Sequence, residues 1–64
     1  MADDLITKER AEQLGRMATA NELDAYDCER EGHFGLAKAL IARAEDYRRA
    51  AAEILKKIAS KIEP

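Results

Sequence analysis

Residues 31–35 read Glu-Gly-His-Phe-Gly, and they are the only place in this chain where two glycines lie close together. These two glycines interrupt a sequence that otherwise favours helix, and glycine is common at the position where a helix ends. Alanine-rich segments lie on both sides of the stretch, and the 64 residues include thirteen alanines. β-Branched residues do not alternate with polar ones, as they would in a half-buried strand. The sequence therefore predicts an all-α chain in which a turn joins two helices.

These signals define one helical-hairpin domain that covers residues 1–64. We expect helix one at about 4–31, the turn at 32–34 and helix two at about 35–62. Gly32 is placed to follow helix one as the glycine that ends it. The two helices are then expected to run antiparallel, side by side.

The first helix leaves two questions open. Asp3, Asp4 and Thr7 are all candidate N-caps, since their side chains can accept hydrogen bonds from the first N–H groups of a helix. Asn21 has two interpretations: a polar residue within the helix–helix contact, where a buried Asn can fix register or oligomeric state, or the N-cap of a separate helix at 22–31. In the second case a third helix would complete the core within one chain.

A seven-residue repeat runs through both predicted helices, with successive steps of three and four residues. When the chain folds back so that facing residue numbers add to 65, nearly every large residue meets a small one, which allows close packing. We call these positions the seam. In helix one the seam consists of Ala11, Leu14, Ala18, Asn21, Ala25 and Cys28, and in helix two of Ala37, Leu40, Ala44, Tyr47, Ala51, Ile54 and Ile58.

Helix two has more apolar surface than the seam uses. Its apolar residues span about 140° of a helical wheel, which is wider than the stripe of a two-helix contact. Ile41, Leu55 and Ile62 lie outside the seam, and Arg48 lies in the same arc. Because a two-helix hairpin has a thin core, we predict an antiparallel four-helix bundle made by a homodimer. Another protein that covers helix two is the alternative.

Six residues are candidates for partner binding. The Arg48 side chain either lies along Ile41 with its guanidinium in solvent or pairs with an acid of helix one in the other protomer. Leu23 and Tyr26 lie on helix one away from the seam, and they either bind a partner or pack within the dimer. The full set is Leu23, Tyr26, Ile41, Arg48, Leu55 and Ile62.

Charge is distributed unevenly along a chain whose net charge is −2. Residues 1–31 carry nine acids and four bases, whereas residues 32–64 carry four acids and seven bases. A net acidic chain disfavours nucleic acid as the main partner, because phosphate neutralisation supplies most of that affinity. The alternative function is RNA or DNA binding through a basic face of helix two, formed by Arg43, Arg49, Lys56 and Lys57.

The sequence contains no recognisable catalytic pattern. Cys28 and His33 are five residues apart, but a structural zinc site needs four N or S ligands, and Cys28 falls on the seam. We therefore expect no metal, no cofactor and no enzymatic activity. A single free cysteine and the lack of a run of about 18 apolar residues predict a cytoplasmic protein that does not enter a membrane. The predicted function is that of a small regulatory or adaptor protein.

Overall fold

The computed structural model describes the backbone of residues 6–62 and the side chains of residues 6–61. It consists of two helices, α1 at Lys8–Arg30 and α2 at Phe34–Ile62. The two helices pack against each other along their length as an antiparallel hairpin that measures 51 × 16 × 15 Å. The predicted all-α hairpin is confirmed.

The first helix begins later than the sequence spacing predicts. Ile6 and Thr7 are not helical, so α1 starts at Lys8 and not near residue 4. Thr7 is the N-cap: its backbone is extended, and its side-chain oxygen accepts a hydrogen bond from the Arg10 N–H at 3.1 Å. This bond satisfies one of the N–H groups that lack a partner inside the helix. The other candidate caps, Asp3 and Asp4, lie outside the described residues.

The turn at residues 31–33 is a Schellman motif around Gly32. The Gly32 N–H donates to the Glu29 carbonyl at 3.0 Å, and the His33 N–H donates to the Cys28 carbonyl at 2.7 Å. These bonds satisfy carbonyl groups at the end of α1. Gly32 has a φ of 87°, a conformation that costs other residues energy because of their Cβ atom. The helix therefore ends at the glycine that the sequence indicates, and α2 starts one residue before the expected position.

Small residues form the interior of the hairpin. Every seam position is buried or half-buried, and within residues 34–61 of α2 the seam positions are the only ones that are not exposed. Apart from Leu14, the larger seam residues are half-buried, so the helices are close but the core is thin. The buried hydrophobic residues among those described are five alanines and one leucine: Ala11, Leu14, Ala18, Ala25, Ala37 and Ala44.

Asn21 lies in the middle of a continuous helix. The interpretation of Asn21 as an N-cap is therefore wrong, and so is a separate helix at 22–31 that completes the core within one chain. Asn21 is half-buried on the seam, and its Nδ2 is buried with no hydrogen-bond partner among the described residues. A buried donor left without a partner costs about 1–3 kcal/mol. The seam thus contains one polar group that opposes its packing.

Candidate interaction surface

Helix α2 presents a row of large apolar side chains outside the seam. Phe34, Ile41 and Leu55 are 67%, 39% and 49% exposed. Together with Arg48 they occur at every seventh position from 34 to 55, so they follow one line along the helix. We call these four residues the α2 stripe. Ile62 continues the spacing at the end of α2, but its side chain lies outside the described part of the chain.

The only charged member of the α2 stripe is bound to α1 of the same chain. The Arg48 Nε donates to Glu22 Oε2 at 3.3 Å, and Arg48 Nη2 donates to Glu22 Oε1 in a second, shorter bond. Hydrogen bonding to Glu22, and then its negative charge, raise the pKa of Arg48 above its ordinary value. The Arg48 side chain therefore pairs with an acid of α1 within the same hairpin, and it remains half exposed to solvent. Pairing with an acid of a second protomer stays a prediction.

The direction of the helices explains this pairing. Side chains on an α-helix tilt toward its N-terminus, so in an antiparallel hairpin Glu22 leans away from the turn and Arg48 leans toward it. The two groups therefore meet although their Cα atoms lie at different levels. The pair fits the predicted register, because Glu22 and Arg48 directly follow the seam residues Asn21 and Tyr47 on the same side of the hairpin.

A shallow, open depression of about 500 Å³ lies next to the ion pair. Gly15 contributes to it because, apart from the adjacent backbone of α1 and the two neighbouring residues, no atom lies within 4 Å of the place that a Cβ would take. Thr19 Oγ1 donates to the Gly15 carbonyl at 3.1 Å, so the hydroxyl is already satisfied within α1. The depression is a gap in the surface rather than an enclosed cleft. Its lining residues are Glu12, Gly15, Arg16, Thr19 and Arg48.

The two candidate residues on α1 are exposed in the hairpin. Leu23 is 64% exposed and Tyr26 is 65% exposed. Tyr26 follows Glu22 by four residues, which places it on the same side of α1 as the ion pair. An apolar ring therefore lies on α1 on the side of the hairpin that also carries the α2 stripe.

Two residues of this surface, Phe34 and Glu22, are not among the predicted ones. Phe34 is 67% exposed at the start of α2; Leu36 is 56% exposed but lies on another side of the helix. Phe34 could have been found from its spacing, since it precedes Ile41 by seven residues. Glu22 carries no sequence signal, because its role depends on the direction in which its side chain leans across the hairpin.

The basic residues of the alternative function are exposed but accompanied by acids. Arg49 Nη1 lies 3.4 Å from Asp46 Oδ1, and this exposed pair of residues is one helical turn apart. Glu53 and Lys57 line a second open depression between the helices. The basic face is therefore interrupted by negative charge. All four of its predicted members are exposed: Arg43, Arg49, Lys56 and Lys57.

No metal-binding cluster occurs in the described part of the chain, where no three His, Cys, Asp or Glu side chains are grouped to hold an ion. Cys28 is a half-buried free thiol on the seam, and His33 is exposed in the turn. Neither of the two helices is both long and apolar enough to cross a lipid bilayer over its described residues.

Comparisons of the chain with protein-family models, with curated proteins and with solved structures found no match. The α2 stripe and the ion pair beside it are therefore interpreted from their own chemistry.

Proposed function

We propose that this chain is a small non-enzymatic regulatory or adaptor protein that acts through protein–protein contacts as a homodimeric four-helix bundle. The observation that carries the proposal is the exposure of the α2 stripe after the hairpin has formed. Ile41 and Leu55 belong to a helix whose seam is already covered by α1. Burial of apolar surface contributes about 25 cal/mol per Å², so a second hairpin gains stability by covering the stripe.

The thin core supports the same proposal. The described residues include no large side chain that is fully buried. Small scaffolds without disulfides or metals commonly gain the missing stability by oligomerising, since a chain of about 60 residues buries only about 60% of its unfolded surface. A homodimer supplies a second apolar layer without any additional sequence.

Regulation or adaptor activity needs a surface beyond the dimer. Leu23 and Tyr26 provide exposed apolar area on α1, and Tyr is among the residues that contribute most at protein interfaces. We place the protein in the cytoplasm, because Cys28 is a free thiol and a reducing compartment keeps such thiols reduced.

Sedimentation equilibrium at micromolar concentration tests the dimer. The monomer mass is 7.1 kDa, and we expect the folded protein to sediment at twice that value. Ile41→Asp should weaken association at least tenfold, because it places a charge in the apolar contact; a tenfold change corresponds to about 1.4 kcal/mol. The matched control is Ala42→Asp, which introduces the same residue at the next, exposed position and should leave the dimer intact. A wild-type protein that is folded and monomeric contradicts the proposal.

RNA or DNA binding remains the second candidate because the basic face of α2 is exposed. Fluorescence anisotropy with mixed-sequence RNA and with duplex DNA tests it at low salt. Binding that depends on phosphate contacts should weaken steeply between about 50 and 200 mM salt. Lys56→Glu should reduce such binding further. If neither nucleic acid changes its anisotropy at low salt, this function is excluded.

A further inference from the structure

The α2 stripe is symmetric about its charged residue. Ile41 lies seven residues before Arg48 and Leu55 lies seven residues after it, while Phe34 and Ile62 lie fourteen residues to either side. We infer that two copies dock antiparallel, with α2 against α2 and a two-fold axis beside Arg48. This inference rests on the proposed homodimer and specifies its geometry.

In this arrangement the numbers of facing stripe residues add to 96. Ile41 then contacts Leu55 of the second copy, and the reverse contact follows from the symmetry. The stripe is thereby covered by its own apolar residues over the length of α2. Steps of seven residues on both helices are what an antiparallel helix pair needs to keep such contacts in register.

The positions between the stripe residues also match in size. Four exposed residues lie on one side of α2 beside the stripe, two nearer the turn and two nearer the open end: Lys38, Glu45, Ala52 and Ala59. In the antiparallel arrangement Glu45 lies within one residue of the level of Ala52 of the second copy, and Lys38 lies within one residue of the level of Ala59. A long side chain thus meets an alanine each time, and its methylene groups can cover apolar surface while the charge stays in solvent.

The ion pair removes the obstacle at the centre of the contact. Two Arg48 side chains near a two-fold axis would repel each other if both were unpaired. Each is instead held by Glu22 of its own chain through two hydrogen bonds. The centre of the dimer therefore contains two positive and two negative charges, and no unpaired charge has to be removed from water.

The turn end of the hairpin is acidic, whereas the rest of the chain is nearly balanced in charge. On the turn side of the axis, residues 18–47 contain seven acids and three bases, while residues 1–16 and 49–64 contain six acids and seven bases. A parallel dimer places two acidic turn ends together, which disfavours it, and an antiparallel dimer keeps them apart.

A dimer in which α2 packs on α1 of the second copy leaves the stripe poorly matched. The side of α1 that lies next to the stripe is mostly polar, so it offers little apolar area to cover Ile41 and Leu55. Its small residues Gly15 and Thr19 instead lie near the level of Arg48, where they allow two α1 helices to approach. The residues along this side of α1 are Glu12, Gly15, Thr19, Glu22, Tyr26 and Glu29.

Disulfide trapping distinguishes these arrangements. In a Cys28→Ala background, two single variants are made as separate proteins, Glu45→Cys and Ala52→Cys. The antiparallel dimer places residue 45 of one copy within one residue of the level of residue 52 of the other, whereas two copies of residue 45 are displaced by six residues, or about 9 Å at 1.5 Å per residue. A disulfide needs Cα atoms within about 7 Å. We therefore expect a covalent dimer in an equimolar mixture under a glutathione redox buffer and little from either variant alone.

Ala42→Cys is the control for random oxidation, because residue 42 is exposed and lies away from the stripe. Sedimentation of each reduced variant is measured in parallel. Cross-linking of each variant with itself, in excess of the control, shows a parallel dimer and overturns the inference. Reduced variants that sediment as dimers and form no disulfide in the mixture also overturn it, while the proposed homodimer stands. A wild-type chain that is folded and monomeric contradicts both.

Discussion

The α2 half of the seam and the α2 stripe lie on the same helix and share a seven-residue period, yet they use it in opposite ways. Ala37 and Ala44 of the seam are both 1% exposed, whereas Ile41 and Leu55 of the stripe are 39% and 49% exposed. A helix usually turns its largest apolar residues inward. Here the alanines of the seam set a close approach between α1 and α2, and the large apolar residues of the stripe remain available to a second surface.

The largest expected effect on stability comes from replacing a seam alanine with a larger residue. We expect Ala44→Leu to destabilise the protein by about 1–3 kcal/mol, because the close approach of the helices leaves no room for a larger side chain. Urea denaturation monitored by circular dichroism measures the change as a lower midpoint. Ala42→Leu is the control on an exposed position of the same helix. If the two variants have equal stability, the seam is not closely packed.

The polar residue of the seam gives a smaller effect of opposite sign. Asn21→Ala should stabilise the protein by about 1 kcal/mol, because it removes the Nδ2 group that is buried without a partner. Asn21→Asp keeps the shape but adds a charge at the same place, so it should be destabilising. Thermal melts of the three proteins at one concentration provide the measurement. A loss of stability in Asn21→Ala would show that the amide has a partner, such as one in a second copy.

Sedimentation of Asn21→Ala adds a second readout. A buried Asn in a helix–helix contact can fix register or oligomeric state at a cost in stability. We expect the more stable variant to show a broader distribution of species than the wild type if Asn21 has this role. If the variant sediments as the same dimer, Asn21 lowers stability without fixing the register or the oligomeric state.

The sequence was sufficient for the seam and insufficient for the contacts beside it. Period and residue size predict which face of each helix is buried, and Gly32 predicts where the chain turns, because both depend on local chemistry. The preference of Asn21 for N-caps is also local, but packing of α1 along α2 overrides it and keeps the helix continuous. The Glu22–Arg48 pair depends on how two side chains lean across the hairpin, and no spacing within either helix encodes that.

The smallest expected effect comes from the charge at the centre of the stripe. Arg48→Glu places a second carboxylate beside Glu22, and Glu22→Arg places a second guanidinium beside Arg48, so each single change should lower the melting temperature by a few degrees. The double variant restores an opposite-charge pair and should recover most of the loss. A double-mutant cycle in low and high salt measures the coupling, which should weaken as salt screens the charges. If the double variant loses as much as the two single variants combined, the ion pair is not an energetic link between α1 and α2. In that case Arg48 is a charge that the stripe tolerates without a stabilising partner. Strong coupling between Glu22 and Arg48 instead means that the hairpin neutralises the one charge that opposes an apolar contact along α2.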